Sequence, residues 1–408
     1  CAGAPRPSSG HNAGLLAHRP MSCPPPPSHV QTLVLGGGPA GASAAITLAR
    51  AGVQTLLVDK SDFPRQKLCG GLLTLRSQRR YEQLFDRPWH EAYEQRCHGL
   101  RLLRDNSLLN AVHSEHPLSF TQRRWFDHFL LQQAQQRGAQ LLLGDGVQSI
   151  DLARRVCTLR SGAQIGYGHL IGCDGVNSLA AKAIFGRSFD PQGIGFALEA
   201  EIPRDRLTQD FAAPEIHLGV VRWGYAWIFP KRETVTIGLG GLMRRNDDLR
   251  PPLTRFIEQT TGLREGYRIK GHHIPFGDVR RTPGAGTVLL AGDAAGLVDP
   301  ITGEGIAYAM ESGQHAAQAV VDALQGGEAA LPRYTRSLRD AVQAIGHGRA
   351  LRHLVFPAPM ERVFCRLLPG STTLTHLHMD LLAGAIEYPA YTRRVAQRLL
   401  PGLMRLVR

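Results

Sequence analysis

Three short runs carry residues whose types and spacing suit nucleotide chemistry. The first is Gly36-Gly37-Gly38-Pro39-Ala40-Gly41, a G-x-G-x-x-G pattern. Before it, Val30, Leu33, Val34 and Leu35 form a short apolar run that reads as a buried strand. After it, Ala42 to Ala51 reads as a small-residue helix stopped at Gly52. A second strand from Val53 to Val58 follows, with Asp59 at its end. Each part has a physical task. Gly36 permits a tight turn, Gly38 lets backbone approach a pyrophosphate, and Gly41 lets helix and strand pack closely. Free N–H groups at the helix start, helped by the dipole, face the phosphates. Asp59, 18 residues after Gly41, is placed to accept from a ribose hydroxyl. The turn alone does not choose between NAD and FAD.

Two later runs narrow the choice. Leu170-Ile171-Gly172-Cys173-Asp174-Gly175-Val176-Asn177-Ser178 reads as a strand entering an Asp-Gly turn. Val288-Leu289-Leu290-Ala291-Gly292-Asp293-Ala294-Ala295-Gly296 reads as another strand ending in an acid. It leads through Asp299-Pro300-Ile301-Thr302-Gly303-Glu304-Gly305 into a long helix near Ile306 to Leu324.

In this order and spacing the three runs resemble the flavoprotein group that includes hydroxylases of the p-hydroxybenzoate hydroxylase type. The resemblance implies FAD. It implies that the Asp174 segment supports the cofactor and that Gly292 and Asp293 meet the ribitol and pyrophosphate. Gly303, Gly305 and Ile306 would offer backbone N–H groups near the flavin ring, where side chains would block it. Ala40, Gly70 and Gly71 belong to the same cofactor set. Arg123, in Arg123-Arg124-Trp125-Phe126-Asp127, matches R-x-x-F-D at a helix start and is implied to reach the FAD phosphates. The bland alternative is a solvated surface arginine. Val147 is implied to meet the adenine through its backbone. One departure stands out: D-G-x-x-S-x-x-R carries Ala181 at its last position, with Lys182 next. That departure implies a loosened or absent contact with a nicotinamide cofactor.

Three local runs resemble the geranylgeranyl reductase family more closely. They are Lys67-Leu68-Cys69-Gly70-Gly71, Gly224-Tyr225-Ala226-Trp227-Ile228-Phe229-Pro230-Lys231 as Y-x-W-x-F-P-K, and Thr302-Gly303-Glu304-Gly305-Ile306. The resemblance spans about residues 30 to 340. It implies an FAD-dependent reductase that saturates C=C bonds of a prenyl or other lipophilic substrate, supplied by NADPH or another external donor. It places Cys69 beside the flavin, as a contact or a proton donor; an inert small residue is the alternative. Tyr225 is the second candidate donor. Tyr225 to Lys231 alternates and is aromatic-rich, so it reads as a strand. Tyr225, Trp227 and Phe229 then share one face, suited to wall an isoprenoid tail; an ordinary sheet core is the alternative. The competing function is an FAD-dependent monooxygenase or halogenase-like enzyme. The halogenase W-x-W-x-I-P run is missing, since the corresponding run begins at Tyr225. A flavin binder without catalysis is a third reading.

These elements imply an α/β chain: a Rossmann-type FAD-binding domain, an inserted antiparallel-sheet substrate domain and a helical C-terminal region. The expected boundaries are 30–71, 121–190 and 270–330 for the first, 72–120 and 191–269 for the second, and 331–408 for the third. Residues 1–29 lack periodicity and contain four consecutive prolines from Pro24 to Pro27, so they read as an unfolded extension. Met21 is a candidate start. The 408 residues are 43% hydrophobic and 20% charged, which fits two or three packed units. The net charge of +13 suits anionic lipid or phosphate-bearing ligands. No zinc-finger spacing or RNA-binding aromatic motif supports nucleic acid. Seven scattered cysteines without C-x-x-C argue against a metal site, a dithiol or a disulfide framework, and fit a reducing cytosol. From Tyr391 to Arg408, five arginines mix with leucines. That stretch reads either as a helix lying in a lipid interface or as one packed on the enzyme, with Pro401 breaking it.

Overall fold

The computed structural model describes residues 26–367, 372–395 and 397. Most of the expected N-terminal extension and most of the basic C-terminal stretch lie outside these residues. The chain opens with β1 (His29–Leu35), α1 (Pro39–Arg50) and β2 (Thr55–Asp59). It leaves for β3 (Leu72–Leu73), α2 (Leu75–Phe85) and a long hairpin of β4 (Gln95–Arg104) and β5 (Ser107–Phe120). It returns through α3 (Arg123–Gln136), β6 (Gln140–Leu143), β7 (Val147–Asp151), β8 (Val156–Leu159), β9 (Gln164–Gly172) and α4 (Leu179–Phe185). A second excursion holds β10 (Gly195–Pro203), β11 (Glu215–Leu218), β12 (Gly224–Pro230), β13 (Thr234–Leu242), α5 (Arg250–Thr261) and β14 (Ile269–Ile274). The chain comes back through β15 (Gly284–Ala285), β16 (Val288–Leu290) and α6 (Ile306–Leu324). Helices α7 (Ala330–Ser337), α8 (Arg339–Val355), α9 (Ala358–Leu367) and α10 (Thr372–Leu382) follow.

Two sheets result. The first runs β15-β16-β9-β1-β2-β6, with β7 and β8 attached beyond β9. Its pairs β16/β9, β9/β1, β1/β2 and β2/β6 are parallel. The strand order reverses direction between β1 and β9, the place where open α/β sheets bind ligands. The second sheet runs β14-β10-β13-β12-β11-β4-β5-β3 and is antiparallel apart from β11/β4. The expected boundary at 270 falls inside β14. Backbone pairing with β10 draws residues 269–274 into the second sheet.

The helix after the glycine turn starts earlier than expected, at Pro39. Proline at the first helical position needs no N–H partner. Asp293 does not end a strand: β16 stops at Leu290, and Gly292–Ala295 form a 3-10 turn.

Small residues set the first domain's central packing. A side-chain carbon at Gly41 would collide with the Gly36 carbonyl, and one at Gly313 with the Ala40 carbonyl. Thus α6 lies backbone-close on α1, and Ala40 is buried at that crossing, 3.3 Å from where a Gly292 Cβ would stand. Ser312 fixes the crossing, accepting from Gly292 N–H at 2.9 Å and donating to Tyr308 at 2.6 Å.

This geometry separates two glycines of similar helical setting. Gly313→Ala should cost about 1–3 kcal/mol, because backbone, not a movable side chain, blocks the methyl group. Gly346→Ala, in α8 with nothing within 4 Å of the added carbon, should gain up to about 1 kcal/mol. Urea denaturation of both variants checks the sign of each change.

Candidate active site

The C-terminal ends of β16, β9 and β1 sit side by side, so the three sequence runs converge on one edge. Gly36, at φ +98°, lies against the Cys173 carbonyl and takes its N–H bond to Val58 at 2.8 Å. No side chain could occupy this place. Gly37 N–H donates to Asp59 Oδ2 at 2.7 Å, and Ser61 N–H donates to Oδ1 at 2.9 Å. Asp59 therefore also braces the glycine turn from below. Above Gly38 there is room: an added Cβ would come no nearer than 3.9 Å, to Arg65 Nη2. Gly38 caps α1 without a side-chain bond, and the first-turn amides lack acceptors within the helix.

Cations gather at this opening. Arg123, the first residue of α3, makes a bidentate pair with Asp127 at 2.6 and 2.8 Å. Arg65 joins the same carboxylate at 3.2 Å, while its Nη1 is buried without a hydrogen-bond partner. Burial works against the Arg123 charge, but the fully buried Asp127 holds it charged. Lys67 stands near Arg123, Asp293 and Cys69; burial first, then Arg123, lowers its ammonium to about 8. Three cations face two carboxylates here, beside glycine backbone and a helix N-terminus. Such a cradle fits a pyrophosphate. The residues present therefore fit FAD, with Asp293 and the Gly303–Gly305 turn further along the same edge. Arg65 and Lys67 belong to this opening although sequence reasoning put the weight on Arg123. Proximity in space to Gly38 and Asp293 was the missing signal.

Asp174 is held within its own segment. Its buried carboxylate accepts from Ser178 at 2.6 Å, Leu179 N–H at 2.6 Å and Ala180 N–H at 3.2 Å. It caps α4, and its segment serves the opening by presenting the Cys173 carbonyl to Gly36. Ala181 is wholly buried in α4 and Lys182 is exposed, so the departing position has no room for the usual arginine. Val147 begins β7 next to Gly146, whose added Cβ would meet Lys60 Cβ at 2.6 Å. That contact sets Val147 near the end of β2. Ile306, the first residue of α6, is buried, and Gly305 lies 3.6 Å from Asp293 Oδ1 when given a Cβ.

The second sheet brings its inner face to the same place. Tyr225, Trp227 and Phe229 project from one face of β12, while Ala226 and Ile228 join the core beneath α5. Across the sheet they form rows with β13 and β10: Tyr225–Gly240–Ala197, Trp227–Gly238–Glu199 and Phe229–Thr236–Glu201. Gly238 leaves the space into which the Trp227 indole leans. The loop 67–71 covers these rings, with a Gly70 Cβ falling 2.7 Å from Phe229. Met379 and Ala383, from α10 and the turn after it, pack into the same cluster as Phe120. The rings are thus part of a packed cluster.

Tyr225 and Cys69, the two expected proton donors, differ in setting. The Tyr225 hydroxyl donates to the Thr302 carbonyl, and burial pushes its pKa up, helped by Asp299. Its proton is held in place, so Tyr225 acts as a strut that ties β12 to the turn before α6. Cys69 is half-buried, its sulfur accepting from Gly71 N–H at 3.4 Å with Arg123 in hydrogen-bonding reach. The turn itself is fixed from beneath by Asp299, which accepts from Ile301 and Thr302 N–H at 2.8 Å and from Tyr388. Glu304 beside it takes Thr74 and, at 2.9 Å, Arg76. Tyr388, Arg76 and Glu199 drew no notice in the sequence, and Asp299 stood there only as the first residue of the run into α6. Among the described residues no cluster could hold a metal ion, and no helix is long and apolar enough to cross a membrane.

A parallel sheet with an anion cradle at its switch point, facing an antiparallel sheet, defines an FAD-dependent oxidoreductase. Residues 29–195 match the family model described as an FAD binding domain. A menaquinone reductase from Mycobacterium tuberculosis is 32% identical over 312 residues, covering 70% of this chain and 75% of that protein. A geranylgeranyl diphosphate reductase from Synechocystis is 29% identical over 323 residues, covering 73% and 77%. The structure of a geranylgeranyl bacteriochlorophyll reductase-like protein from Thermoplasma acidophilum superposes with TM-score 0.76 at 21% identity, covering 91% and 99%. A flavin-dependent brominase shares the fold, with TM-score 0.66 at 17% identity over 92% and 100% of the chains. The chain belongs to the geranylgeranyl reductase family.

Two measurements bear on the cradle. Asp293→Ala should purify visibly paler than the parent, with less FAD per chain; an equally yellow variant would exclude the aspartate from cofactor retention. Lys67 loses its charge as pH rises through about 8, so FAD association with the apoprotein should weaken from about pH 7 to about pH 9. Lys67→Met should flatten that dependence, followed by flavin fluorescence quenching.

Proposed function

We propose that this chain saturates carbon–carbon double bonds in the prenyl portion of a lipophilic substrate. The observation that carries this reading is the row of Tyr225, Trp227 and Phe229, set on a strand whose neighbour supplies Gly238 and Gly240 for clearance. This face reaches the turn at Thr302–Gly303 through the Tyr225 hydroxyl and packs against Met379 of α10. Such a wall suits hydrocarbon and offers few groups for an aromatic acid.

FAD bound here supplies hydride when reduced, and the chemistry of that transfer belongs to the cofactor. The chain's own residues bind and orient. Arg65, Lys67 and the first-turn amides of α1 would hold the phosphates; Asp293 and the 303–305 backbone would set the position of the remainder. Loop 67–71 and α10 exclude water from the aromatic face. An external donor, NADPH or another, supplies the electrons, and the buried Ala181 favours a donor that does not use an arginine at that position.

The names of the relatives supply the probes. Holoenzyme reduced with dithionite under nitrogen should reoxidise on addition of menaquinone or geranylgeranyl diphosphate. Mass spectrometry of the product after reoxidation in air, which returns any quinol to quinone, should still find two added hydrogens, placed in the prenyl chain by fragmentation. Turnover seen only in air, with an oxygenated product, would overturn the reductase reading in favour of a monooxygenase.

A further inference from the structure

Glu199 sits in the middle of β10, on the face that carries the aromatic rows. Its side chain is buried, with 7% of the residue exposed. Oε1 accepts from Cys69 N–H at 2.8 Å, which ties the strand to the loop over the rings. Oε2 is buried and has no hydrogen-bond partner. Trp227 lies in the same row across Gly238, and its Nε1 is also buried without a partner, 3.4 Å from a Cβ placed on Gly70. Two unpaired polar atoms therefore flank loop 67–71 in an otherwise apolar wall. An ionised carboxylate in that position is disfavoured by burial unless it is fully paired. Its neutral form carries a proton on the oxygen that has no partner.

We propose that Glu199 is the acid of this site, delivering from Oε2 the proton that accompanies hydride transfer. This rests on the reductase reading above. The step balances. The alkene π bond breaks, one carbon takes the hydride, and the other takes the Glu199 proton. Two C–H bonds form, the two electrons come from reduced FAD, and the carboxylate left behind regains its proton from solvent.

The surroundings set the acidity. Burial raises the Glu199 carboxyl to about 7, against the pull of Lys231, the Cys69 amide and Lys67, with Glu201 adding to the rise. Lys231 is itself paired to Glu201 at 3.2 Å. On β14, Lys270 stands opposite Glu199 but is exposed, and His272 stands opposite Ala197. Burial, followed by Lys67, lowers His272 to about 3, so it is neutral near pH 7 and carries no proton to give up as an acid. Tyr225 has committed its proton to Thr302. A group titrating near the working pH is the one suited to general acid catalysis.

Glu199→Gln keeps an oxygen for the Cys69 amide and removes the acid; Glu199→Asp keeps the acid on a shorter arm. Both are read as holoenzymes, with FAD content checked first. In single turnovers of dithionite-reduced enzyme with menaquinone or geranylgeranyl diphosphate, the parent rate should fall as pH rises through about 7. The Gln variant should be slower by about 10²–10⁴-fold with that pH limb gone, and the Asp variant should recover part of the rate and the limb. Independently of turnover, infrared titration of the parent should show a protonated carboxyl band, lost near pH 7, that is missing in the Gln variant. A Gln variant with the parent's rate and pH profile, or a parent without that band, overturns the assignment of Glu199. A parent that leaves both probes untouched without oxygen overturns the reductase reading instead, and the acid's role with it.

Discussion

The two sheets meet along a seam, and side chains of the second supply hydrogen-bond partners for backbone in loops that leave the first. Cys69 N–H reaches Glu199, and the Thr302 carbonyl takes the Tyr225 hydroxyl. A buried amide or carbonyl left unpaired costs about 1–3 kcal/mol, so each of these bonds resists opening of the seam. Both loops carry glycines because rings and backbone come close there: Gly70 under Phe229, Gly71 against the Thr121 carbonyl, Gly303 beside the Tyr225 hydroxyl. The site is this seam. Neither sheet alone contains it.

Charge is distributed along the seam in a consistent way. The cradle end holds Arg65, Lys67 and Arg123 around Asp127 and Asp293, a surplus of cations where a dianionic pyrophosphate would lie. The far end holds Glu199, Glu201 and Lys231, where an apolar wall meets a buried carboxyl. Removing Asp127 would leave Arg123 and Arg65 facing each other without a counterion, a change of the kind that costs about 3–5 kcal/mol. Burial first, and the neighbouring cations after it, shift Lys67 and His272 toward their neutral forms.

Much of the first domain was legible because its signals are local. A glycine turn between a short apolar run and a small-residue helix allows few conformations, and the residues that touch are near one another in sequence. The strand from Tyr225 and its one-sided aromatic triad were legible for the same reason, since alternation has a period of two. Boundaries were less so. The strand at 269–274 was divided by the expected boundary, because only its pairing with β10 assigns it to the second sheet. Asp174 shows the limit for a single residue. The resemblance gave its segment a cofactor role, but its bonds to Ser178 and the first amides of α4 show only in the folded chain.

The sequence by itself determined a dinucleotide site, the parallel core and the aromatic face, because those follow from patterns within a few residues; FAD followed from the resemblance of three runs far apart in the chain. Tertiary structure alone decided which side chains share the site. Arg65 comes to Gly38, Glu199 to Cys69, which is 130 residues away, and Tyr388 to Asp299. Such pairs leave no periodicity to read, since a contact between distant strands depends on sheet order and on glycine-sized gaps between layers. Burial then sets the acidity of Glu199 and Lys67, and burial is a property of the packed chain.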